Sequence, residues 1–170
     1  MMTFKKIFQA SGLFFILVLY SCAVNYSLTG GGPLDAKTVT IGYISNKATL
    51  VNPSLSQVFT EKLKDKFLKE SKLELVNEDA DWAFSGYISN YSTSPVAITS
   101  DNKAQQTRLT VVVNIKFDSK KDPKKSFEQT FSQYADFDNS KNLTDVQSGL
   151  IDDISTRLVQ DIYTKTALDW

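Results

Sequence analysis

From Arg108 to Asp118 the chain alternates almost without a break. Leu109, Val111, Val113, Ile115 and Phe117 take one set of positions, and Arg108, Thr110, Val112, Asn114, Lys116 and Asp118 take the other. Successive side chains of a strand point to opposite faces, so a period of two predicts a strand with one buried face and one wet face. A strand of that kind needs neighbours to pair with and a second layer to cover its apolar side, which excludes an all-helical bundle.

The flanking segments supply both. The loop Lys120 to Lys125 leads into Phe127–Tyr134, which returns as a further strand and predicts a hairpin. Trp82–Tyr91 reads as a strand with aromatics on both faces, and Ser94-Pro95 marks a bend or an edge within it. An earlier strand is expected over Lys37–Ile44, with Val39, Ile41 and Tyr43 on one face. Asn52-Pro53-Ser54 looks like a helix start, with Asn52 as cap or Ser54 and Gln57 as an alternative capping box. Leu55, Val58, Phe59, Leu63 and Phe67 then form an apolar stripe at helical spacing that ends near Ser71. A last helix is predicted from about Leu143, with Thr144 and Gln147 as a capping box and Val146, Leu150, Ile151, Ile154, Leu158 and Ile162 as its stripe. The expected fold is α+β in the order β-α-β-β-β-α. About four largely antiparallel strands form a sheet that two amphipathic helices cover on one face.

Composition narrows the chemistry. The 170 residues hold 19 basic and 19 acidic side chains and no histidine. Without imidazole there is no Ser-His-Asp or Cys-His catalysis and no His-containing zinc site. Balanced charge with no clustered basic run excludes the footprint of a nucleic-acid binder. No cofactor or metal is expected.

The N-terminus carries a processing signal. Lys5 and Lys6 precede the apolar run Gly12–Leu19, which is too short to span ~30 Å of hydrocarbon but has the size of a signal-peptide core. It ends in Leu19-Tyr20-Ser21-Cys22, which resembles a bacterial lipobox. Cys22 is the sole cysteine, so no internal disulfide can form, and acylation would remove a free thiol from an oxidising compartment. The expected organisation is a signal peptide over 1–21, a lipidated tether over 22–36 rich in turn residues, and a domain over 37–170. Cleavage before Cys22 leaves 17 basic and 19 acidic side chains.

Four stretches carry a family resemblance: Cys22–Gly30 (CAVNYSLTG), Leu50–Phe67 (LVNPSLSQVFTEKLKDKF), Gly86–Val96 (GYISNYSTSPV) and Phe131–Phe137 (FSQYADF). Together with the lipobox and element order they are similar to the lipopolysaccharide-assembly lipoprotein (LptE) family in its short Bacteroidota-type form. The resemblance implies an outer-membrane lipoprotein that plugs and supports the barrel translocon LptD, and that binds lipopolysaccharide through basic residues near a sheet-edge loop. It also implies a periplasm-facing protein, because surface-directed lipoproteins of that group carry acidic residues after the Cys and Ala23–Leu34 has none.

Lipid A phosphates call for Lys or Arg donors. The candidates are Lys103 in the loop before the alternating strand, Arg108 and Lys116 on its polar face, and Lys120, Lys121, Lys124 and Lys125 at the hairpin tip. The plainer reading of these cations is that they keep a sheet edge soluble. Two other functions stay open on the sequence: an anchored scaffold or pilot module of another envelope secretion machine, and a hydrolase using Glu78, Asp79 and Asp81. Asp136-Phe-Asp138-Asn-Ser140 begins like a calcium loop but has Lys141 and Gln147 where that geometry needs Gly and Glu, so a solvated turn is expected.

Overall fold

The computed structural model describes residues 35–50, 52–96 and 106–168, all within one compact unit, Pro33–Trp170. The signal peptide, Cys22, nearly all of the tether and Lys103 lie outside the described residues. The elements are β1 (Thr38–Ile41), β2 (Ser45–Asn46), α1 (Pro53–Ser71), β3 (Glu74–Leu75), β4 (Trp82–Val96), β5 (Gln106–Ser119), a 3-10 turn (Pro123–Lys125), β6 (Phe127–Asp138) and α2 (Leu143–Tyr163), which runs into a π-helical turn (Thr164–Leu168).

The α+β class holds, with a mixed sheet in place of the expected four-stranded one. Its order is β3-β1-β4-β5-β6, and β2 follows β1 along the same side of β4. The antiparallel part is the long meander β4-β5-β6, in which Phe84 faces Phe117 and Phe117 faces Phe127. The parallel part is β1 between β3 and β4. Helix α1 is the crossover that makes β1 and β3 parallel. Two-residue strands such as β2 and β3 are too short to show a period, so their sequence carried no strand signal.

The predicted strand over 37–44 divides in the structure. The Gly42 amide still donates to the Phe84 carbonyl at 2.9 Å, but the Ile44 amide turns to the Thr60 hydroxyl of α1 at 3.1 Å. Pairing with β4 resumes where Ser45 faces Tyr87.

One face of the sheet is buried. On β5, Leu109, Val111, Val113, Ile115 and Phe117 are sealed, while the alternate residues are half-buried or exposed. Both helices cover this face, as expected. Phe67 of α1 lies 4.6 Å from Phe84, 6.3 Å from Trp82 and 5.3 Å from Tyr163 of α2, centroid to centroid, joining three elements in one aromatic cluster.

The two helices run parallel. Asn52 bonds Gln147, Lys62 reaches Asp152 and Thr156, Lys66 reaches Gln160, and Ser71 meets Tyr163. Both therefore begin toward the end of the sheet where Val96 pairs with Gln106, and finish toward the opposite end, where Trp82 pairs with Ser119. The first is called here the far end. The second is the entry end, because Asp35 and Lys37 are bound there to Lys125 and Asp81.

Helix α1 is capped by Asn52, whose side chain accepts from the Ser54 amide at 3.0 Å. Helix α2 starts two residues earlier than the capping-box pattern implied: Asn142 is its cap in place of Thr144, without a side-chain cap bond. Gln147 instead receives the Asn52 Nδ2 bond from the neighbouring helix at 2.9 Å.

Candidate functional site

The candidate cations do not form one patch. Arg108 stands near the far end of β5 and the hairpin lysines at the entry end. Twelve residues of strand between Arg108 and Lys120 span about 40 Å.

At the far end, Arg108 lies on the open face of the sheet, directly across from Asp136. Its Nε donates to Asp136 Oδ1 at 2.8 Å and its Nη2 to Oδ2 at 2.9 Å, a two-pronged pair. The guanidinium also lies 3.6 Å from the centre of the Tyr134 ring. The hydrogen bonds from Arg108 hold the Asp136 carboxyl below the ordinary carboxylate range, and those to Asp136 hold the guanidinium firmly charged. The Arg108 plane is thus fixed on two sides, with Nη1 free of partners among the described residues.

At the entry end most lysines are already matched. Lys120 bonds Asp79 at 2.6 Å, Lys121 bonds Asp81 at 3.0 Å and Lys125 bonds Asp35 at 3.3 Å. Lys116, on the open face, bonds Asp118 at 2.8 Å, and that bond raises its pKa. Lys124 has no side-chain partner among the described residues. The turn itself is capped by Asp122, which accepts from the Lys124 amide at 3.2 Å.

The same pairs bear on the acidic run. Asp81 accepts from the Lys37 main-chain N–H at 2.7 Å, and this bond, followed by Lys121, lowers its pKa. Asp79 is committed to Lys120. The downward shift of Asp81 is opposite to the raised pKa that the proton-bearing acid of glycoside hydrolysis requires. Asp138 accepts from the Ser140 amide at 2.8 Å, a tight turn that leads into α2. Among the described residues no cluster of side chains is arranged to hold a metal.

Sequence reading missed the aromatic half of this surface. By period alone Tyr134 is the end of a strand and Tyr87 a strand aromatic, yet Tyr134 carries Arg108 and Tyr87 carries Lys47, whose Nζ lies 4.5 Å from the ring centre. Tyr134 and Asp136 share a face of β6 by the period of two, but the register with β5 is what sets Arg108 beside them, and no periodicity along the chain reports it.

Residues 36–166 match the protein family described as LptE, lipopolysaccharide-assembly. The chain belongs to the LptE family. No curated protein matches it. Among solved structures, a minor lipoprotein from Acinetobacter baumannii is similar at 14% identity and TM-score 0.51, covering 76% of this chain and 91% of that one. A Xanthomonas campestris protein is similar at 9% identity and TM-score 0.53, covering 82% and 87%. At such identities these likenesses speak to the fold alone. Membership of the LptE family gives this chain a role in lipopolysaccharide assembly. Among the described residues no helix is long and apolar enough to cross a membrane.

Proposed function

We propose that this LptE-family chain is a non-enzymatic outer-membrane lipoprotein, anchored through acylated Cys22 and facing the periplasm. There it plugs and supports the barrel translocon LptD and binds the lipopolysaccharide in transit. The observation that carries the reading is the family match over 36–166, which spans the whole helix-and-sheet body. A plug needs a rigid body with a polar exterior matched to a wet lumen. The sealed aromatic core and the hydroxyl-rich open face of Ser85, Ser92, Thr110, Thr130 and Ser132 suit that task.

For the lipid A phosphates, Arg108 is the strongest candidate donor. It is charged, planar and held in place, and both helices turn their positively poled N-termini toward its end of the sheet. Lys103 belongs with it by sequence. Lys116, Lys120, Lys121 and Lys125 are weaker candidates, because a phosphate would have to displace an aspartate from each; Lys124 alone at the entry end needs no such exchange.

The test is a mild-detergent pull-down of the tagged, Cys22-acylated protein from native outer membranes, with partners identified by mass spectrometry. Recovery of a large β-barrel at roughly equal stoichiometry, together with loss of surface lipopolysaccharide on depletion, is the expected result. Unchanged surface lipopolysaccharide and no barrel overturn the reading, and recovery of a secretion complex in its place transfers the chain to the pilot-module class.

A further inference from the structure

The sheet ends on one side in β3, two residues long, and on the other in β6, twelve residues long. Two contacts set the phase of the β6 backbone. The Val112 carbonyl accepts from Ser89 Oγ of β4 at 3.2 Å, so Val112 faces β4 and its partner Ser132 on β6 lies in a non-hydrogen-bonded pair. The Tyr134 carbonyl accepts from Arg157 Nη2 of α2 at 2.5 Å, on the side away from β5. By alternation the main-chain N–H and C=O groups of Glu128, Thr130, Ser132 and Asp136 point outward too. Among the described residues these groups have no main-chain partner.

Devices that close an edge are sparse here. Strand β6 contains no proline and no lysine, and its register with β5 has no bulge. Arg157 is the guard, and it blocks one carbonyl near the middle of the strand. From Glu128 to Ser132 the edge stays open. Apolar side chains lie along it half-covered: Phe127 and Phe137 on the helix side of β6, and Leu143 and Leu150 in the first turns of α2. Glu128 is exposed and makes no salt bridge among the described residues, since Lys116 directly across on β5 bonds Asp118 and feels Glu128 only through charge, while Gln129 to Ala135 carry no charge.

We infer that this open edge is a strand-addition site for an extended segment of another protein. The segment is apolar at the alternate positions that face α2 and carries Lys or Arg opposite Glu128. Its backbone completes the ladder, and its apolar residues cover Phe127 and Leu150. A second copy of this chain fits poorly, because antiparallel self-pairing centred on Ser132 sets Glu128 against Asp136 twice. The wall of a closed barrel offers no free strand, so the donor segment lies outside any such wall. The inference stands independently of the translocon reading.

The experiment places photo-crosslinking residues at Gln129 and Thr130 of the full acylated chain in native outer membranes, with Glu61 on the exposed side of α1 as control. Crosslinked peptides are sequenced, and the yields are repeated in Ser132→Pro and Glu128→Lys. Proline at 132 removes an outward N–H and no bond to β5. A peptide with the stated alternation, captured at 129 and 130 and not at 61, is expected. Its yield falls about tenfold in both variants while each stays folded, Glu128→Lys with a slightly lower Tm because the new lysine faces Lys116, and the Glu128→Lys loss shrinks as salt rises. Should Ser132→Pro fail to fold, Glu128→Lys and the peptide sequence decide alone. Yields unaltered in the folded variants, a helical peptide, a peptide from this same chain, or no crosslink at all overturns the inference. Loss of the edge crosslink with barrel recovery intact supports the edge and leaves the translocon reading in place. A crosslinked strand without any barrel keeps the edge and removes that reading.

Discussion

Gly86 is the residue whose identity the fold dictates most directly. It pairs with Ile115, and a Cβ built on it would sit 2.1 Å from the Asn114 carbonyl oxygen, a main-chain atom that cannot yield cheaply. Gly86→Ala should cost about 3 kcal/mol, read as a lower urea midpoint. Lys72 shows the reverse situation. It closes α1 in the left-handed region at φ 54, where a side chain is tolerated and glycine is preferred. Lys72→Gly should therefore leave stability unchanged or raise it by up to about 1 kcal/mol. Acid sensitivity belongs to the same scale. The carboxyl of Asp136 is pulled below its ordinary 3.8 by the Arg108 hydrogen bonds, Asp81 by the Lys37 amide and then Lys121, and Asp138 by Ser140. Groups with depressed pKa bind fewer protons folded than unfolded, so their contribution is complete above the ordinary value and fades as pH falls through the folded one. The urea midpoint should drop below about pH 4, and Asp136→Asn should make that drop shallower.

Elements carry the next level of prediction. Helix α1 depends on Asn52 twice, once for its cap and once for the bond to Gln147 that ties the start of α2 beside it. Asn52→Ala removes both and should destabilise by about 1–2 kcal/mol. In α2, Gly149 has open space around its Cβ position and lies within the helix, so Gly149→Ala should stabilise by about 0.5–1 kcal/mol. The order of the long elements and both helical stripes are legible because period and capping act over a few residues, whereas the two-residue β2 and β3 are not. Even so, the α2 cap was misplaced onto Thr144, since Gln147, the supposed box partner, is drawn instead to a residue 95 positions away.

On the scale of the whole molecule, Phe67 joins both helices to the sheet. Phe67→Ala opens a cavity among Trp82, Phe84 and Tyr163 and should cost about 3–5 kcal/mol, measurable by thermal unfolding. Arg108 and the hairpin lysines, neighbours in one sequence list, stand at opposite ends of the sheet. What the chain alone determined was whatever rests on local chemistry: the long period-two strands, the amphipathic helices, the α+β class and, through their combination, the LptE resemblance. What only the tertiary structure decided was the company each residue keeps. It matched Lys120 and Lys121 with aspartates about 40 residues distant, laid Arg108 on Tyr134, and ran a parallel β1 between two-residue β3 and β4. The physical reason is that pairing register, and with it the partner of every surface charge, is set by contacts across the sheet, where no periodicity along the chain reports them.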